Sequence, residues 1–73
     1  MKVKELIERL KSLDPELMVV RSGYEGGVEE ATEVDVRTIA LNVNPEWYYG
    51  SHELLDSADE CPEYKRASAA YIH

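Results

Sequence analysis

Residues 39–53 read IALNVNPEWYYGSHE, and the rest of the chain is arranged around them. An apolar run through Ile39, Leu41 and Val43 has the composition of a strand. Asn44 and Pro45 end it, because proline has no amide proton to give to a ladder. The chain's single tryptophan, Trp47, follows with Tyr48 and Tyr49, and Gly50 and Ser51 mark a turn before His52 and Glu53. A strand that delivers an aromatic loop is the expectation here.

Working back from that strand, the apolar alternation changes phase. Val34 and Val36 are even-numbered, whereas Ile39, Leu41 and Val43 are odd, and one strand cannot place both sets on one face without an extra residue. The pattern predicts a strand over 34–43 with a β-bulge near Arg37 and Thr38, or a strand buried on both faces. Before it, residues 23–27 (GYEGG) hold three glycines in five positions, which favours a turn with positive φ. Their spacing fits neither a Walker loop nor a dinucleotide fingerprint, and Glu25, Glu29 and Glu30 would repel a phosphate. Residues 17–22 (LMVVRS) read as a short strand, with Arg21 snorkelling to the rim and pairing with a carboxylate.

At the start, Val3, Leu6, Ile7, Leu10 and Leu13 recur at helical spacing and predict an amphipathic helix over 2–13. Glu5 and Arg9 stand at i, i+4 in the favourable order. Asp14 before Pro15 ends the helix.

Working forward from the loop, Leu54 and Leu55 are apolar enough to return to the core. The acidic stretch at about 56–64 has the composition of an exposed, mobile loop. The tail RASAAYIH (66–73) fits a closing strand with Ala67, Ala69 and Tyr71 on one side and Ser68, Ala70 and Ile72 on the other; a helix this short is marginal in water. Together these readings predict a single α+β domain over residues 1–73. It has one N-terminal helix packed on a small, mainly antiparallel three-stranded sheet, in the order α-β-β-β.

Seventy-three residues allow only a thin core, since folding at this length buries roughly 60% of the surface of the unfolded chain. A homodimer is one way to add buried apolar area. No Phe is present, so aromatic packing rests on Trp47 and five tyrosines. Cys61 is the only cysteine; it cannot form an internal disulfide, and no clustered histidines join it in a zinc set. A charge-interrupted start and the lack of a long apolar run predict a soluble protein of a bacterial cytoplasm, without a membrane span. The net charge is −7, and between Asp14 and Glu63 thirteen acids face only Arg21 and Arg37. Such a surface repels nucleic-acid phosphates and anionic lipid, and suits a basic protein partner.

Several of these segments resemble a group of small proteins encoded by phages and prophages. The matching residues are Val3 to Ile7, the Gly23-Tyr24-Glu25-Gly26-Gly27 turn, Asn42-Val43-Asn44, Glu46-Trp47-Tyr48-Tyr49-Gly50 and His52-Glu53. No activity is established for the group, so the resemblance implies a source and a common fold. Phage genomes are under pressure to carry small proteins that block host defences.

The candidate binding residues are Arg21, Tyr24, Glu25, Asn42, Asn44, Trp47, Tyr48, Tyr49, His52 and Glu53. Trp47, Tyr48 and Tyr49 offer broad contact at low side-chain entropy, or else finish a core that lacks Phe. Asn42 and Asn44, read as sharing a strand face, offer paired donors and acceptors. His52, Glu53 and Asp56 hold metal-ligand or acid–base chemistry, but no second histidine stands at ligand spacing, and neither a metal, a cofactor nor a catalytic residue is expected. The expectation is a non-enzymatic accessory protein that binds a host or phage protein through an acidic and aromatic surface, with inhibition of that protein as one outcome of binding. The alternative is a binder that sequesters a nucleotide-like signal through Arg21, Tyr24 and the Trp-Tyr-Tyr loop.

Overall fold

The computed structural model describes residues 1–57, 60 and 62–73. One α-helix and five short strands are present, with the strands in two sheets, so the architecture is α+β. The chain divides into two compact units, Met1–Glu33 with Ile72–His73, and Val34–Tyr71.

In the first unit, α1 spans Val3–Leu10. Its backbone opens on the Lys2 carbonyl, which accepts from the Glu5 and Leu6 amides at 3.0 and 3.1 Å. The Lys11 and Leu13 amides carry one further tightened turn to Ile7 and Leu10. The ion pair on the helix surface is Glu8–Lys11 at 2.7 Å, one turn along from the Glu5–Arg9 spacing that the sequence suggested. The helix ends at Leu10, three residues short of the stop expected from Asp14 and Pro15, and those two residues shape the turn that follows. The Asp14 Oδ1 accepts from the Glu16 amide and its carbonyl accepts from the Leu17 amide, so the two residues form a turn.

Strand β1 (Val20–Ser22) then pairs antiparallel with β2 (Val28–Glu30), in the register Val20↔Glu30, Arg21↔Glu29 and Ser22↔Val28. β1 is shorter than the run of apolar residues before it, and β2 has no counterpart in the expected order. The glycine-rich stretch is the connection between them. Glu25 (φ 48°) and Gly26 (φ 81°) both take positive φ, a mirror-image turn whose twist matches the flanking strands; the Gly27 amide closes it on the Tyr24 carbonyl at 3.1 Å, and the Gly23 amide donates to the Gly27 carbonyl at 2.8 Å just outside it. At the other end of the unit the Thr32 and Glu33 amides both donate to the His73 carbonyl at 2.7 Å, and the His73 amide returns a bond to Glu33.

The second unit is built on β3 (Val34–Ala40), which lies between β4 (Glu53–Leu54) and β5 (Arg66–Ile72). β4 pairs antiparallel through Ile39↔Leu54 and Ala40↔Glu53, and the Leu55 amide reaches the Thr38 carbonyl. The Leu41 amide donates to the Lys65 carbonyl. That pair and the Glu33–His73 pair keep one offset between the strands, so β5 runs antiparallel to β3 and no extra residue enters the ladder. The expected β-bulge near Arg37 and Thr38 is therefore absent, and the strand is not buried on both faces. Val34 and Val36 are left exposed instead, which is how the change of phase is accommodated.

The tail is a strand, with Ala67, Ala69 and Tyr71 half-buried and Ser68, Ala70 and Ile72 exposed, in the predicted alternation. Among the described residues only Ala40 (0% exposed) and Leu55 (6%) are fully buried. Ala40 sits in the middle strand of its sheet. Parts of the acidic stretch expected to be a mobile loop, and Cys61, lie outside the described residues; Asp56, Ser57, Glu60 and residues 62–64 are exposed and outside strands. No helix among the described residues is long and apolar enough to cross a membrane.

Candidate functional site: an exposed aromatic loop with a bonded base

β3 ends at Ala40, earlier than the sequence pattern suggested, and Asn42 turns the chain with φ 54°. Asparagine tolerates this left-handed conformation better than most residues. Asn42 and Asn44 therefore do not share a strand face as expected; they form the base of a loop. The Asn42 amide donates to His52 Nδ1 at 2.9 Å. An accepting Nδ1 carries no proton, so this bond requires the tautomer with its proton on Nε2.

Asn44 closes the same loop three times. Its backbone amide donates to the Ser51 carbonyl at 3.1 Å, and its side-chain Nδ2 donates to the Gly50 carbonyl and to Glu53 Oε1, each at 2.8 Å. Glu53 begins β4, which ties the loop to the sheet. A turn within the loop is closed by the Tyr49 amide on the Glu46 carbonyl at 3.1 Å.

The aromatic side chains stand at the far end of this closed base. Trp47 is 92% exposed, and Tyr48 and Tyr49 are 62% and 61% exposed. The reading in which Trp47 completes a Phe-less core does not hold. The rings touch one another instead: Trp47 and Tyr48 meet edge to face with centroids 5.6 Å apart, and Tyr48 and Tyr49 lie tilted at 5.1 Å. Each such contact contributes about 0.5–1.5 kcal/mol beyond area burial when the rings are desolvated. Glu46 sets a negative charge beside the cluster, and Glu53 sets another at its base.

Arg21, Tyr24 and Glu25 belong to the first unit. Arg21 lies directly across the hairpin from Glu29, and its guanidinium donates to Glu29 Oε2 at 2.8 Å and to the Ser22 carbonyl at 3.3 Å. Its Nε is buried without a hydrogen-bond partner among the described residues. Arginine paired with a carboxylate at the strand rim is the arrangement the sequence suggested. Tyr24 stands at the hairpin tip, 85% exposed, beside Glu25.

The His52, Glu53 and Asp56 set does not converge on one point of chemistry. His52 accepts from Asn42, Glu53 accepts from Asn44, and Asp56 faces Arg37 at 3.5 Å. Arg37 in turn lies 5.8 Å from the centroid of the Tyr71 ring. Among the described residues no group of three or more His, Cys, Asp or Glu side chains is placed to hold a metal ion. A hollow of about 170 Å³ in the same unit is lined by Thr38, Leu55, Asp56, Ser57 and Arg66. It is smaller than the roughly 300–1,000 Å³ of ordinary small-molecule sites, and no residue of the aromatic loop lines it.

Sequence reasoning picked out the loop by its residue types but missed the role of Asn44. The signal for that role was local: an asparagine before a proline, with a glycine six residues on, is the composition of a side-chain-closed turn. Comparison with known protein families, curated proteins and solved structures finds no match to this chain.

Proposed function

We propose that this chain is a non-enzymatic accessory protein of the phage type that binds, and thereby inhibits, a host or phage protein carrying a basic surface. The observation that supports this most directly is the exposure of Trp47 on a loop whose base is closed by Asn44 and His52. Folding gains nothing from leaving an indole in water, so a loop that holds it there in a bonded frame suits capture by a partner. Tryptophan and tyrosine anchors supply most of the binding energy in such contacts, and acidic neighbours guide a basic partner into place.

In the first unit the hairpin and the residues just after it carry Glu25, Glu29, Glu30 and Glu33, all exposed, against Arg21 alone, and Arg21 is already paired. A nucleotide-binding reading is weaker for the same reason, since the guanidinium that would meet a phosphate is held by Glu29.

The test is affinity capture from a bacterial host lysate with wild-type protein and with Trp47→Ala, in parallel with native mass spectrometry of the purified chain. A basic protein retained by the wild type, released by salt and lost from Trp47→Ala supports the reading. A mass excess equal to a bound nucleotide, or a captured protein indifferent to Trp47, argues against it.

A further inference from the structure

The base of the aromatic loop contains one hydrogen bond that exists in only one protonation state. The Asn42 amide donates to His52 Nδ1 at 2.9 Å, so the ring is neutral and carries its hydrogen on Nε2. His52 is exposed, and protons from water reach it freely. When the ring takes a second proton, Nδ1 becomes a donor and faces the amide that had donated to it. The bond is lost, and two N–H groups are set against each other.

Asn42 is a place where that loss has leverage. Its φ of 54° lies in the left-handed region, which any L-residue adopts at a cost. The bond ties this strained residue, just beyond the end of β3, to the residue just before β4. Once it is gone, the base is held by the bonds of Asn44 to Gly50, Ser51 and Glu53. Trp47, Tyr48 and Tyr49 all lie between the two ends of the tie, so its release changes how they are presented.

We infer that His52 makes the aromatic loop sensitive to pH: closed at Asn42 with the neutral ring, open there with the charged one. The other titratable and charged groups on the surrounding elements are Glu46, Tyr48 and Tyr49 in the loop, Arg37 in β3, Glu53 in β4, and Lys65 and Arg66 where β5 begins; the Lys65 carbonyl accepts from the Leu41 amide. Side chains of these types ordinarily keep one protonation state between about pH 5 and 8, the range in which histidine changes. The bond to Asn42 is therefore present toward the upper end of that range and lost toward the lower. The remaining histidine, His73, belongs to the first unit and takes no part in the loop. For a partner anchored on Trp47, the proton on His52 is a release signal. That consequence rests on the proposed function; the opening itself does not, and it is tested on the chain alone.

The experiment is an NMR titration of the purified full chain from about pH 8 to 5. It follows the ring nitrogens of His52 and the amide-exchange protection of Asn42 and Tyr49, corrected for the intrinsic pH dependence of exchange. At the upper end the expected ring is neutral with a bare Nδ1. As it charges, protection at Asn42 is expected to fall by between about two- and tenfold, the effect of losing one hydrogen bond. Tyr49 is expected to follow, while Ala31 in the first unit holds. His52→Asn puts a side-chain oxygen where Nδ1 stood without a group that titrates, and it is expected to keep the loop closed throughout. A neutral ring with its hydrogen on Nδ1 overturns the inference, as does wild-type protection at Asn42 that is indifferent to the charging of His52; neither result needs the variant to fold. A His52→Asn loop that opens over the same range as the wild type overturns it too. Capture of a partner by Trp47 is read separately in the lysate experiment and survives each of these outcomes.

Discussion

Replacing Asn44 by alanine tests whether the aromatic loop is held by its base. The substitution removes two side-chain hydrogen bonds and leaves the backbone bond to Ser51 in place. An amide–carbonyl bond contributes about 0.5–1.5 kcal/mol net, and one to a carboxylate about 1.5–3 kcal/mol. Asn44 is half-buried and Glu53 exposed, so the lower ends apply, and together they come to about 2 kcal/mol. At 1.4 kcal/mol per factor of ten, the open population of the loop rises roughly 25-fold. Native-state amide hydrogen exchange reads this directly, because the Asn42 and Tyr49 amides are hydrogen-bonded within the closed loop. Both are expected to lose protection by about that factor. The Ala31 amide, bonded to the Val19 carbonyl in the other unit, serves as the control and is expected to stay unchanged. Wild-type protection at Asn42 and Tyr49 in the variant would refute the clamp. An equal loss at Ala31 would refute it too, by showing general unfolding in place of a local opening.

Trp47→Ala is expected to change unfolding free energy in urea by no more than about 0.5 kcal/mol, as for an exposed site; a loss above about 2 kcal/mol would put the indole in a core. Gly26→Ala places a side chain at φ 81° with open space around it, so the cost is backbone strain alone, about 1–2 kcal/mol by thermal unfolding. An Arg21→Ala and Glu29→Ala double-mutant cycle is expected to give a coupling of about 0.2–1 kcal/mol that shrinks in high salt. Ala40→Leu forces three extra carbons beside a fully buried methyl group in the central strand, and a loss of about 1–3 kcal/mol is expected in denaturant unfolding.

The helix, the glycine turn and the closing strand were legible because each rests on local rules: a 3.6-residue stripe, positive φ at glycine, and alternation of small and exposed residues along Ala67, Ala69 and Tyr71. Strand β2 was not. Its three residues, Val28 to Glu30, are all exposed, and a strand with no buried face has no alternation to read. The expected bulge rested on the premise that every apolar residue in a strand must be buried, and Val34 and Val36 do not obey it. At the loop, residue types announced the aromatic cluster, but exposure is a tertiary property. The sequence leaves Trp47 open between core and surface, and its 92% exposure in the folded chain decides for the surface. The Arg21–Glu29 pair was legible in kind, a rim arginine with a carboxylate, while its partner depended on the hairpin register.

The position of β3 between β4 and β5 bears on the order in which the chain assembles. Pairing Ile39 with Leu54 closes a loop of modest length, whereas joining Leu41 to Lys65 and Glu33 to His73 closes longer ones, and the entropy of closure grows with the separation. Within this three-stranded sheet the β3–β4 contact is thus the one expected to form first, with the aromatic loop as its connection. β5 docks onto an edge already prepared for it. Substitutions at Asn44 should therefore slow folding, whereas those in β5 should mainly hasten unfolding, so the aromatic loop would also set the pace at which the sheet forms.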